Sequence, residues 1–173
     1  MKVLVATDGS EFSRVAVNKC CEMFDESENT EVRIISVAEA RVPPIEPFAV
    51  SADYFVEINA EARKHANEVV SQAEAEVRNH FPDLAVDLTT RIIMGSPKQA
   101  IVGEAKDWGA DIIIVGSHGY GFWQKALLGS VSDSVMHHAP CSVLVVRDSR
   151  CVGDKIQGEH RSLLLRKKSS TND

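Results

Sequence analysis

Short apolar runs rich in β-branched residues alternate along this chain with longer stretches whose apolar positions recur every three or four residues, the pattern of strands alternating with helices. The first run, residues 2–7, ends at Asp8-Gly9-Ser10, where Ser10 is placed to cap a helix beginning at Glu11. That helix presents Phe12, Ala16, Cys20, Met23 and Phe24 on one face. Residues 31–37 read as a second strand. Residues 41–48 hold Pro43, Pro44 and Pro47, so they extend neither strand nor helix and form a loop. From 54 to 79 the apolar positions Phe55, Ile58, Ala62, Ala66, Val69, Ala73 and Val77 predict the longest helix. Residues 85–94 alternate in part through Val86, Leu88 and Ile92, as an exposed-face or edge strand does.

Ser96-Pro97-Lys98-Gln99 combines an N-cap serine, a proline at the first helical position and a capping-box glutamine. The helix it starts carries Ile101, Ala105 and Trp108 on one face and stops at Gly109. Residues 111–115 are continuously apolar, as a strand buried on both faces would be, and a glycine-bearing loop runs from 116 to 129. A helix over 130–138, a stop at Pro140 and a strand over Ser142–Val146 complete the domain. Strands alternating with helices require right-handed crossovers, so the predicted class is α/β: a single doubly wound domain with a mostly parallel sheet covered on both faces. The domain spans 1–147. Residues 148–173 lack periodicity and read as a mobile C-terminal tail, with a short helix over 162–168 as the alternative.

With 173 residues, 44% hydrophobic and 25% charged, the chain fits one globular core and neither a disordered nor a disulfide-scaffold class. No apolar run approaches the roughly 20 residues of a membrane span, so no membrane partner is expected. Of the 19 basic and 25 acidic residues, 13 and 21 fall in 1–147, leaving that body at −8, which disfavours nucleic acid as a partner. Cys20, Cys21, Cys141 and Cys151 show neither a C-x-x-C pair nor metal-ligand spacing, and Cys20, Cys21 and Cys141 read as small hydrophobes rather than redox groups. No leader precedes the first strand, so the expected compartment is cytoplasmic.

In an open parallel sheet ligands bind beyond the carboxyl ends of the strands, where chain order reverses. Two such ends carry chemistry. The first strand ends in Thr7-Asp8-Gly9-Ser10, and the fourth in Gly116-Ser117-His118-Gly119, followed after nine intervening residues by Gly129-Ser130. Glycines let backbone N–H groups close on an anion, and Gly129-Ser130 sets a helix start beside it, a phosphate-binding arrangement. Ser117 and Ser130 add hydroxyl donors, although Ser130 also reads as the N-cap of its own helix, reciprocated by Asp133. His118 reads as a solvent-facing spacer, Lys125 as a solvated lysine or a phosphate partner, and Phe122 and Trp123 as pins for the loop. The P-loop lysine motif, the kinase set, the nucleophile elbow and the zincin motif do not occur, so an enzyme is not predicted and any hydrolysis would be slow.

Gly116-Ser117-His118-Gly119 through Gly129-Ser130-Val131, with Thr7-Asp8-Gly9-Ser10 at the front and residues 140–146 at the end, resembles the universal stress protein family, most closely its small single-domain plant-type members. The pattern G-x2-G-x9-G-[ST] is the signature of that family's ATP-binding branch. The resemblance implies a Rossmann-like, adenine nucleotide alpha hydrolase-like sheet of five strands in the order 3-2-1-4-5. It implies ATP or AMP as ligand, with Asp8 and Val37 at ribose and adenine and Val115 lining the adenine pocket. Gly116, Gly119, Gly129, Ser130 and Val131 would hold ribose and phosphates. Asp8 either approaches a phosphate-bound Mg²⁺ or serves only as an Asx residue for the turn.

Three functions follow as expectations. A nucleotide-binding stress or signalling protein would change conformation or oligomer with its ligand. A slow ATPase or phosphotransferase, and a chaperone-like oligomer that shields unfolded chains, are the alternatives. The last strand, Ser142–Val146, is an apolar edge that invites a homodimer, and the family resemblance implies that contact too.

Overall fold

Aliphatic and β-branched runs form the strands β1 (Lys2–Ala6), β2 (Glu31–Ala38), β3 (Asp87–Met94), β4 (Ile112–Gly116) and β5 (Ser142–Val146). The amphipathic stretches between them form α1 (Glu11–Met23), α2 (Ala52–His80), α3 (Pro97–Trp108) and α4 (Ser130–His138). This computed structural model describes residues 1–23, 30–39, 52–81, 87–119 and 128–147. Phe24, the proline-rich loop, residues 85–86, Phe122, Trp123, Lys125, Cys151 and the expected tail lie outside them.

The sheet order is β3-β2-β1-β4-β5 with every pairing parallel, as expected. β1 pairs with β2 on one side and with β4 on the other, so Val5 aligns with both Ile34 and Ile114. The chain order reverses between β1 and β4, and their carboxyl ends diverge into the crevice described below.

Alternation of apolar side chains along buried strands gives the sheet two cores. Val3, Val5, Val32, Ile34 and Ile114 pack with Ala16, Val17, Cys20 and Cys21 of α1 and with Ala73 and Val77 of α2. Leu4, Ile35, Ile113 and Val115 pack on the opposite face with Ile101 and Ala105 of α3 and Val135 of α4. Each fully buried aliphatic side chain contributes roughly 1.5–3 kcal/mol, so these central strands dominate the stability of the domain.

Two helix faces differ from the expectation. In α1 the buried positions are Ser13, Ala16, Val17, Cys20 and Cys21, whereas Met23 is exposed. The helix is rotated because Ser13 finds hydroxyl partners inside, which lets a polar residue occupy the core face. In α2 the buried positions are Ala66, Val69, Val70, Ala73 and Val77, while Phe55 is 43% exposed. The helix outruns the sheet, and its first half overhangs the carboxyl edge, where Ile58 and Ala62 line a cavity instead of the core.

α3 is anchored by charge as well as by packing. Glu104, with a side chain only 4% exposed, accepts from Arg33 Nη1 at 2.8 Å and from Arg91 Nη1 at 2.7 Å. The Arg33 guanidinium lies 4.2 Å from the Trp108 ring centroid, so one cation joins β2 to both the carboxylate and the indole of α3.

Burial pushes the Cys20 thiol up to about 12 and the Cys21 thiol up to about 11, with the neighbouring Cys21 and Glu76 charges adding to the respective shifts. Because both folded-state values are raised, the stability these thiols contribute is complete below the ordinary value of 9.0 and is lost as pH rises toward about 12 and about 11. The midpoint of urea unfolding is therefore expected to fall between about pH 9 and 11, and less so in Cys20→Ala/Cys21→Ala; equal slopes in the two proteins would refute the assignment.

Candidate functional site

Gly9 has φ 78°, a left-handed conformation that glycine adopts without strain and that turns the chain from β1 into α1. Around it the side chains of the turn satisfy one another. Asp8 Oδ1 accepts from the Ser10 N–H at 3.0 Å and from the Ser10 hydroxyl at 2.6 Å. Ser10 caps the helix as expected, its Oγ accepting from the Ser13 N–H at 3.3 Å. The Thr7 and Ser13 hydroxyls lie 3.0 Å apart, and Thr7 Oγ1 accepts from the Gly9 N–H. Of the two roles open to Asp8, the Asx turn is present in full for one carboxylate oxygen. The other oxygen, Oδ2, lies 2.6 Å from the point where a Cβ on Gly119 would stand, so Asp8 also abuts the loop after β4.

On that loop the described glycines have a spatial reason. A Cβ on Gly116 would stand 2.6 Å from the Phe12 carbonyl oxygen and 2.9 Å from the Ser13 nitrogen, so glycine is what lets the backbone of α1 rest on the end of β4. A Cβ on Gly129 would stand 3.2 Å from His118 Cα and 3.3 Å from the Ser117 oxygen. The Gly129 N–H donates to that same Ser117 oxygen at 2.8 Å, which closes the loop on itself.

Gly129, not Ser130, is the N-cap of α4, and no side chain caps that helix. This corrects the expected capping role of Ser130, which is instead the first helical residue. It is exposed and sits on the cavity wall. The first helical N–H groups, those of Ser130, Val131 and Ser132, have no acceptor within the helix by construction. Ser132 Oγ donates to the Ser117 and Gly129 carbonyl oxygens, bracing the loop from beneath. Ser96 occupies the N-cap of α3 as expected, but the expected capping box is not made, since no side chain bonds the helix start.

The two loops and the end of β2 enclose a cavity of about 1290 Å³, ample against the roughly 300–1,000 Å³ of typical ligand sites. Thr7, Asp8, Val37 and Val115 line it, as do Gly116, Gly119, Gly129, Ser130 and Val131. Ser117 is placed differently. It is 2% exposed, its N–H donates to the Val146 carbonyl, and its Oγ lies 3.1 Å from His118 Nδ1. Its groups therefore shape the loop from behind the cavity wall. His118 is no solvent-facing spacer: it is half-buried on the wall, its ring 5.2 Å from that of Phe12.

The family model of the universal stress proteins matches residues 1–147. The chain belongs to the universal stress protein family. A Staphylococcus epidermidis protein named for this family is 34% identical over 146 residues, which cover 84% of this chain and 82% of that protein. The universal stress protein UspA from Lactobacillus plantarum superposes with a TM-score of 0.71 at 23% identity, over 85% of this chain and 97% of that one, a likeness of fold. A universal stress protein crystallised in complex with cAMP superposes with a TM-score of 0.60 at 25% identity, over 84% of this chain and 96% of that one.

Sequence reasoning on this universal stress protein missed the far wall of the cavity, formed by Tyr54, Ile58, His65 and Lys64 of α2 and by Ser96 and Lys98 at the start of α3. No local signal marks these residues, since only the crossover topology brings helix starts so distant in sequence to one edge. The hydroxyl pair Ser10 and Ser13 did have a signal: serines at the N-cap and three residues later. Among the described residues no helix is long and apolar enough to cross a membrane, and no group of three or more His, Cys, Asp or Glu side chains could hold a metal ion.

Proposed function

We propose that this universal stress protein binds an adenine nucleotide, ATP or AMP, across the carboxyl ends of β1, β2 and β4. Ribose and base lie along Asp8, Val37 and Val115, and the phosphates lie at the start of α4. The observation that carries the reading is Gly129 at the N-cap of α4. A helix start without a side-chain acceptor, flanked by Gly116 and Gly119 in the same cavity, offers N–H donors and the positive end of a dipole to an anion. The likeness to a family member crystallised with cAMP supports an adenine ligand. Mg²⁺, where present, would arrive on the phosphates, with Asp8 on the same cavity wall. The Ser117–His118 contact does not put a nucleophile into the cavity, because Ser117 lies behind its wall; the reading is one of binding, with slow hydrolysis as the alternative.

The bound and empty forms would differ in partner preference through a homodimer at β5 (Ser142–Val146), an edge strand whose Val143, Leu144 and Val145 remain half-buried. The test is mass spectrometry of the nucleotide that copurifies, followed by calorimetry with ATP and AMP and sedimentation with and without ATP. Gly129→Val is expected to weaken ATP binding by about tenfold, the worth of one hydrogen bond to a charged group, with the circular dichroism of the sheet retained. A wild-type protein that binds neither nucleotide would remove the reading.

A further inference from the structure

We infer that His118 determines specificity for the phosphate-bearing part of the ligand, its imidazole being the side-chain donor that the phosphates meet on the loop after β4. This rests on the nucleotide reading above and deepens it.

Three observations place the ring for that task. His118 lines the cavity beside Gly129, the N-cap of α4, its Cα 3.2 Å from where a Cβ on that glycine would stand. The ring is held on two sides, by Phe12 with centroids 5.2 Å apart and by Ser117 Oγ 3.1 Å from Nδ1. That second contact survives a change of tautomer or charge, because a hydroxyl both donates and accepts.

Charge supplies the need. On the turn after β1 and the loop after β4, the described cavity-wall residues with ionisable side chains are Asp8 and His118. Asp8 is an anion pressed against Gly119, so a polyphosphate drawn to the start of α4 meets like charge there. Other charged groups on the surrounding elements, Glu11 and Arg14 of α1 and Asp133 of α4, are exposed and off the wall. Glu61, Lys64, His65 and Glu68 of α2, Lys98 of α3 and Glu39 after β2 also line the cavity. The helix start provides only about half a positive charge. With Nδ1 accepting from the Ser117 hydroxyl, the imidazole keeps its N–H on Nε2 as a donor. Its contribution therefore grows with the number of phosphates and vanishes for a nucleoside.

The experiment is calorimetry of adenosine, AMP and ATP, in EDTA so that no divalent ion masks the charge, on the wild-type protein, His118→Asn and His118→Lys. The expected result is a roughly tenfold loss of ATP affinity in His118→Asn, a smaller loss for AMP and none for adenosine, with His118→Lys retaining the preference for ATP. Should His118→Asn not fold, His118→Gln serves as the neutral variant. ATP affinity unchanged in the neutral variant overturns the inference, as does an equal loss for all three ligands, which marks a purely structural residue. Wild-type protein that binds neither AMP nor ATP, with or without Mg²⁺, overturns the nucleotide reading itself, an outcome distinct from the other two.

Discussion

Gly116→Val is expected to lower the free energy of unfolding by about 3 kcal/mol, near the upper end for forcing atoms into a filled space. The obstacle is main chain rather than side chain. The added Cβ would meet the Phe12 carbonyl carbon at 2.7 Å and its oxygen at 2.6 Å, so relief requires lifting the first turn of α1 off β4. That movement also separates Ser13 from Thr7 and Ser10, whose hydroxyls are buried and satisfy one another. Gly103→Ala is the control. Nothing stands within 4 Å of a Cβ at that helical position, so the substitution is expected to stabilise by about 0.5–1 kcal/mol through helix propensity. Urea unfolding followed by circular dichroism measures both, and two shifts of the same sign would contradict the packing account.

Removing the Glu104 carboxylate is expected to cost about 2–3 kcal/mol in Glu104→Ala. Its two arginines contribute unequally. The Arg33 side chain is 21% exposed and sits on Trp108, so losing its partner leaves a cation poorly hydrated between β2 and α3. The Arg91 side chain is 58% exposed and recovers most of its hydration from solvent. Arg91→Ala is therefore expected to cost well under half as much as Glu104→Ala. By contrast Lys19–Glu22, with side chains 46% and 60% exposed, is expected to contribute little, and Glu22→Ala tests that baseline in the same unfolding assay. If Glu104→Ala and Glu22→Ala shift the midpoint alike, the buried triad has no special role.

The alternation of strands and helices was legible because each element announces itself locally. Ile113 and Ile114 face opposite cores, and an uninterrupted apolar run is what such a two-faced strand requires. The strand order came from resemblance and was confirmed by the sheet; periodicity alone states which elements exist, not which become neighbours. Two of the misreadings share one physical cause. An apolar stripe shows where a helix would bury itself if water were the only alternative, and it cannot register a polar group that finds partners inside. Ser13 turned the face of α1 for that reason. Glu104 was passed over for the same reason, since its partners Arg33 and Arg91 are 71 and 13 residues away and nothing in α3 itself distinguishes it from a solvated carboxylate. The candidate site was legible where glycine recurred at fixed offsets. Ser117 shows the limit of that reading: its place in the motif is clear from the sequence, while the direction of its hydroxyl depends on strand β5, to which its N–H is bonded.

Two helix starts meet at the same hollow and are finished in opposite ways. α1 is sealed by Ser10 and Asp8, whereas α4 begins at a residue with no side chain to offer. A serine or aspartate at position 129 would bring a capping oxygen worth a few tenths of a kcal/mol over glycine, set against a Cβ 3.2 Å from His118 Cα and 3.3 Å from the Ser117 oxygen. The glycine leaves that helix start without a side-chain acceptor. On the nucleotide-binding proposal, responsiveness originates in that omission: a ligand that supplies the missing acceptor would make the stability of the domain depend on its concentration.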